Sequence, residues 1–303
     1  MISKYTYKKL TWIDLESPTR EEVRTVTEEY DIPSLIAEEV IEKSARAKVD
    51  VYSNVLYLIL HFPTAGRGGT TDEHELDFVI GKNFIITTHY ELVDPLHEFA
   101  KMFEVNSVLD KSEIGSHAGF LLFFILREMY RQLTVELESM NDGIRDIERN
   151  IFDSKAESKM VERISLMNRN FVDFKQSMRF HRETLASLEH AGKTFFGEDF
   201  SYYLGAITGE YNKVQNMLDS HREVLSDLRE TNDSLLSAKT NDTIKKLTVM
   251  TFTMLPLTLI TGVFTMNSDL VFIHTVKDFY IVIGAMSLTA VIMFIYFKNK
   301  KWL

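Results

Sequence analysis

The sequence predicts an α+β soluble domain followed by long helices and two C-terminal membrane-spanning helices. Three observations carry this reading. Leu247–Phe264 and Phe279–Phe297 are apolar runs without a charged residue. As helices rising about 1.5 Å per residue, each is roughly 27–29 Å long, enough to cross a bilayer's hydrocarbon core. Between about Ser112 and Pro256 the chain has no proline, and its apolar residues recur at helical spacing. Before about residue 105, short β-rich runs alternate with turn signals and two brief helical patterns.

Composition bounds the rest. The chain has 303 residues, 45% hydrophobic and 12% aromatic, so it can bury a sizeable core in one large or two ordinary domains. A net charge of −10 argues against nucleic acid as a partner. Cysteine is absent, which excludes disulfides and thiolate metal sites. Met1–Leu10 has no apolar signal region, so membrane insertion is expected to use the C-terminal segments.

In chain order, residues 1–105 are expected to form a cytoplasmic α/β domain. Lys4–Ile13 reads as a strand. Ser17-Pro18 reads as a helix start, with Ser17 as cap and Pro18 in the first turn. A second helix is expected from Pro33 to Glu42. Val49–Tyr52 and Val55–Phe62 read as strands, and Ala65–Thr71 as a turn. Glu75–Ile80 and Phe84–Thr88 read as a hairpin through Gly81-Lys82-Asn83. A short helix is expected from Asp94-Pro95 to about Phe103. Residues 106–198 follow as a cytoplasmic helical hairpin, with periodicity over 115–152 and 157–190 and a turn at Ala191–Asp199. A stalk helix over 199–264, on the order of 100 Å long, runs into the first span and needs partners to be stable. Residues 265–278 are the outer loop, 279–297 the second span and 298–303 a basic tail. Lys239, Lys245 and Lys246 precede the first span, and Lys298, Lys300 and Lys301 follow the second. By the positive-inside rule both termini face the cytoplasm, in a multi-pass protein of the plasma (inner) membrane.

The first span carries a polar seam. At alternating spacings of three and four it reads Asn241, Ile244, Thr248, Thr251, Leu255, Thr258, Gly262, Thr265. A lone membrane threonine usually bonds its own preceding turn and packs helices together. Aligned, these residues point to a pore on the axis of a homo-oligomer. Asn241, Thr248, Thr251, Thr258 and Gly262 would line it, and Ile244 and Leu255 would form a hydrophobic gate. Val249, Phe252, Met254, Leu259 and Val263 are expected on the opposite side.

The segment Thr240–Asn267, with Thr240-Asn241, Pro256-Leu257-Thr258, Gly262 and Met266-Asn267, resembles the CorA-type divalent-cation transport family, as does the ending Tyr296–Leu303. Trp12-Ile13-Asp14-Leu15 with Pro18, Arg46–Tyr52, and Glu75-Leu76-Asp77-Phe78 resemble its soluble segments more weakly. The likeness covers nearly the whole chain. It implies a funnel-shaped homopentamer in the lipid bilayer, no enzyme activity and no cofactor. It also implies passive passage of divalent cations, Mg²⁺ first, with Co²⁺, Ni²⁺ and Zn²⁺ as options. The family's Gly-Met-Asn signature maps onto Thr265, Met266 and Asn267, which makes these the selectivity filter, with Asn267 holding a hydrated cation. Thr265 replaces the glycine, so the ion stays open. The family's Mg²⁺-sensing acids fall within Tyr203–Gly209, where Ala206 and Gly209 stand instead; Glu198, Asp199 and Glu210 are nearby. An outer acidic element is also missing, leaving Ser268, Asp269 and Asp278.

Two alternatives differ in kind. One is a carrier for Zn²⁺ or another transition metal, with or without proton coupling. The other is a membrane-anchored oligomeric sensor that does not conduct. Among other candidates, the run Asp72, Glu73, His74, Glu75 and Asp77 reads as the solvated edge of a hairpin rather than a metal site. His181 and His190 do not share a helix face cleanly, so packing or solvent is expected. His274 could meet a soft cation in the outer loop. Gly66-Arg67-Gly68-Gly69 lacks the Lys-Ser/Thr and helix of a phosphate loop. Glu230 and Asp233 are in phase with Asn241 and either form acidic rings or face solvent.

Overall fold

The computed structural model describes residues 1–44, 46–65, 71–108, 117–152, 157–265, 276–300 and 302. The chain divides into two units, Met1–Arg229 and Glu230–Leu303.

In the first unit, β1 (Ile2–Tyr7), β2 (Leu10–Glu16), β3 (Lys48–Val51), β4 (Leu56–Ala65), β5 (Thr71–Ile80) and β6 (Phe84–His89) form one sheet. The spatial order is β1-β2-β6-β5-β4-β3. β2 and β6 run parallel, and the other neighbours are antiparallel. Alternation along β4 explains why the run Val55–Pro63 is buried throughout. Leu56, Leu58, Leu60 and Phe62 face one side, while Tyr57 and Ile59 face the other. Against the second side pack Val23 and Val26 of α1 (Arg20–Glu29) and Ile36 of α2 (Ser34–Glu39). The first side is covered by α3 (Asp94–Val108), α4 (Ala118–Asn150), α5 (Glu157–Ser177), α6 (His181–Phe196) and the first half of α7 (Ser201–Thr265). One apolar cluster runs from Tyr7 to Leu225 and joins the stretches before and after residue 105.

Several local expectations need correction. Lys4–Ile13 is two strands, not one. The chain reverses at Lys8, whose φ of 54° is left-handed, without a glycine to signal it. The cap of α1 is Thr19, not Ser17. Thr19 Oγ1 accepts from the Glu22 amide at 3.2 Å, and the Glu22 carboxylate accepts from the Thr19 amide at 2.8 Å, a complete capping box. Ser17, at φ 43°, instead donates its hydroxyl to the Tyr90 carbonyl at 2.6 Å. α2 ends at Glu39, short of Glu42, and α3 runs past Phe103 to Val108. The pattern over 157–190 is broken at Met178–Phe180, where α5 gives way to α6. Gly197, with φ 107°, ends α6 within the expected turn. Gly192 lies inside α6, where a Cβ would come within 2.6 Å of Leu204, so α6 and α7 approach closely there.

The acidic run on β5 is not uniformly a solvated edge. Asp72 and Glu73 are exposed, but Glu75 and Asp77 are buried. The Glu75 carboxylate accepts from the Ser44 amide at 2.7 Å, and Asp77 accepts from the Tyr57 hydroxyl at 2.9 Å. Burial, and then the Glu75 carboxylate, hold Asp77 well above the usual carboxylate range. Gly66–Gly69 lie outside the described residues.

Candidate functional site

The second unit contains the C-terminal part of α7, from Glu230 to Thr265, and α8 (Val276–Asn299). Both helices are long and apolar enough to cross a membrane, with mean hydropathies of 1.4 and 2.2 over their most apolar windows. Neither is covered within the protomer, since only 6% of each window is buried. Such surface needs lipid or further protein around it.

Burial shows which face of α7 meets α8. Val249 and Thr253 on α7 oppose Ala290, Val291 and Phe294 on α8 around a gap of about 360 Å³. Val249 is buried, and Thr253, Pro256 and Ile260 are half-buried. At about 100° per residue these four positions fall within about 60° of arc. The seam residues Ile244, Thr248, Thr251, Leu255, Thr258 and Gly262 fall within about 80°, centred about 150° away. They therefore lie on the side of α7 turned from α8. Asn241, Ile244, Thr251, Leu255, Thr258 and Gly262 are exposed, and Thr248 at the flank is half-buried. A Cβ at Gly262 would meet nothing within 4 Å. The expectation for the opposite side holds only in part. Val249 faces α8, whereas Phe252, Met254, Leu259 and Val263 are exposed at the flanks.

The seam hydroxyls have a defined polarity. Thr248 donates to the Ile244 carbonyl at 2.8 Å, and Thr258 to the Met254 carbonyl at 3.0 Å. Thr253 and Thr261, off the seam, do the same, so this bond alone marks no function. On the seam, however, the donated proton points into the helix and the oxygen lone pairs remain for whatever lies outside. Thr251 donates no such bond and keeps its proton available among the described residues. Pro256 sits inside α7 and withholds an amide from the Phe252 carbonyl, yet the helix continues to Thr265.

Glu230 and Asp233 are exposed on α7. Asp242 pairs with Lys246 at 2.7 Å just before the apolar run, with both side chains exposed. In the first unit, Ala206 and Gly209 are exposed on α7, and no carboxylate stands at either position. Met266, Asn267, Ser268, Asp269 and His274 lie outside the described residues, as does the side chain of Thr265. Among the described residues, no group of three or more His, Asp or Glu is placed to hold a metal ion.

His181 is fully buried and not solvent-facing. Its Nε2 lies 2.8 Å from the His61 carbonyl, which can only accept, so Nε2 carries the proton. Nδ1 then accepts from the Tyr130 hydroxyl at 2.8 Å. Burial pushes the imidazole down to about 4. This histidine joins sheet to helices and is part of the soluble core rather than of a transport path.

The fold and the seam define a class: a membrane protein whose soluble α/β unit precedes two C-terminal spans, the first with an outward polar stripe. The chain belongs to the CorA-like Mg²⁺ transporter family, whose description "CorA-like Mg2+ transporter protein" matches residues 7–300. The cobalt/magnesium transport protein CorA of Thermotoga maritima is 25% identical over 296 residues, covering 97% of this chain and 83% of that protein. The magnesium transport protein CorA of Wolinella succinogenes is 24% identical over 307 residues, covering 99% and 93%. Among solved structures, the complete CorA magnesium transporter of Methanocaldococcus jannaschii superposes with a TM-score of 0.85 at 20% identity, covering 99% of this chain and 94% of that one. Members of this family are transporters, so the chain is not read as an enzyme.

Proposed function

We propose that this chain is one subunit of a homopentameric channel that passes divalent cations, Mg²⁺ foremost, passively across the inner membrane with both termini in the cytoplasm. Family membership supports the class of cargo. The observation that carries the pore reading is the direction of the seam: α8 covers one side of α7, and the polar stripe lies on the other. A ring of such helices with α8 outside would bring Asn241, Thr248, Thr251, Thr258 and Gly262 to a common axis. Ile244 and Leu255 would then form apolar constrictions between the polar levels. Thr265, Met266 and Asn267 form the filter in this reading. Mg²⁺ sheds water reluctantly, so neutral acceptors suit its hydrated form. Hydration waters present their hydrogens outward, and back-bonded threonines answer with lone pairs. Entry needs no chemical energy source, because a divalent ion gains roughly 4.6 kcal/mol per 100 mV of inside-negative potential, at about 2.3 per charge.

The test is uptake into liposomes holding the purified protein, with Mg²⁺, Co²⁺, Ni²⁺ and Zn²⁺ offered singly, with and without a pH gradient. Asn267→Ala should abolish uptake while the oligomer persists on gel filtration. Undiminished transport by that variant would remove Asn267 from the filter. Uptake of Zn²⁺ alone, driven by the pH gradient, would favour a proton-coupled carrier. The absence of any cation flux would favour a non-conducting sensor.

A further inference from the structure

The first unit holds a cavity of about 450 Å³ that the transport reading does not use. It is walled by β4, β5, α4 and the start of α3. Phe62, Met129 and Leu133 give it an apolar side. Glu136 reaches it from α4, one turn beyond Leu133. The residue is half-buried, and its carboxylate has neither a cation nor a hydrogen-bond donor among the described residues. His74 on β5 also lines the cavity. Its Nε2 pairs with the Glu91 carboxylate at 2.6 Å, and its Nδ1 is buried without a partner. Among the described residues, the other charged lining groups, Asp72 and Asp94, are acidic as well, and no Lys or Arg contributes. Among the described residues, the cavity thus combines an apolar wall with a carboxylate that has no partner and no lysine or arginine.

We propose that this cavity binds a small organic cation, a primary ammonium on an apolar body, with the ammonium on Glu136 and the body against Met129 and Leu133. An ammonium supplies three donors and one positive charge, which complements a carboxylate without a partner. A bare metal ion fits less well, since the described residues offer no three-ligand group. The inference stands apart from the pore reading. Burial pushes the Glu136 carboxyl up to about 7, so binding strengthens as pH rises through that value. The other titratable groups that face the cavity are His74, Asp72 and Asp94, and Glu91 faces His74.

The experiment is calorimetric titration of the full chain in detergent at pH 8 with hexylammonium, hexanol and hexanoate. Hexylammonium should bind, and the neutral and anionic analogues should bind at least tenfold more weakly. Glu136→Gln, nearly isosteric, should lose at least tenfold in hexylammonium affinity, and Met129→Trp, which fills the cavity, should lose binding. No heat from hexylammonium, equal binding of hexanol, or full affinity in Glu136→Gln would each overturn the proposal. The wild-type comparison of the three probes decides the matter even if a variant fails to fold.

Discussion

Replacing His181 with leucine should destabilise the soluble unit strongly near neutrality and much less in acid. At pH 7 the change removes the acceptor of the Tyr130 hydroxyl and the donor to the His61 carbonyl, both buried. Each orphaned group costs about 1–3 kcal/mol, so the variant should lose roughly 2–6 kcal/mol. The pH dependence follows from the depressed imidazole. Folded, His181 stays neutral down to about pH 4; unfolded, it protonates near the usual 6.5. The unfolded chain therefore binds the extra proton between these values. The stability that neutral His181 contributes is complete above about pH 6.5 and drains away as pH falls towards 4. At 1.36 kcal/mol per pH unit the gap is worth about 3 kcal/mol. Leucine has no such proton to gain, so the difference between wild type and variant should shrink by about 3 kcal/mol from pH 7 to pH 4. Denaturant unfolding followed by Trp12 fluorescence, in a Trp302→Phe background, measures it, since Trp12 is fully buried in the same unit. A constant difference across that range would refute the account of a neutral, doubly bonded His181.

Two further outcomes bear on the membrane part and its regulation. Because the chain contains no cysteine, single cysteines report without background. A membrane-impermeant cationic thiol reagent should inhibit uptake through Thr251→Cys, Leu255→Cys and Thr258→Cys but not through Val249→Cys or Thr253→Cys; the reverse pattern would turn the seam away from the path. Millimolar Mg²⁺ should not protect the stalk from protease, because Ala206 and Gly209 supply no carboxylate; clear protection would place the sensor on other residues.

Much of this architecture was legible because its signals are long or repeated. The two apolar runs are long enough to mean membrane, and α8 is observed from Val276 to Asn299, close to the apolar run at 279–297. The β5–β6 hairpin was legible because Gly81-Lys82-Asn83 marks its turn. Short-range features without composition cues were not. Lys8 reverses the chain with an ordinary side chain at positive φ, and Met178–Phe180 break a helix without Gly or Pro. Ser17 before Pro18 imitates a cap, although Thr19 and Glu22 spell a capping box. The fate of Glu75 and Asp77 depended on tertiary partners, Ser44 and Tyr57, that no local pattern announces. Glu136 and its cavity arise where β4, β5, α3 and α4 meet, so no linear motif encodes them. The seam could be read from spacing alone, but its direction required knowing which face Val249 gives to α8.

The back-bonded threonines carry a consequence for ions of the opposite sign. With the hydroxyl protons of Thr248 and Thr258 committed to the Ile244 and Met254 carbonyls, the wall at those two levels has nothing to donate. Chloride needs donors to replace the water it sheds, and it finds none there. At those two levels of the proposed pore, though not at Thr251 between them, anion rejection would thus be written into hydroxyl orientation rather than into fixed charge, and high ionic strength, which screens exposed charges, would leave it intact.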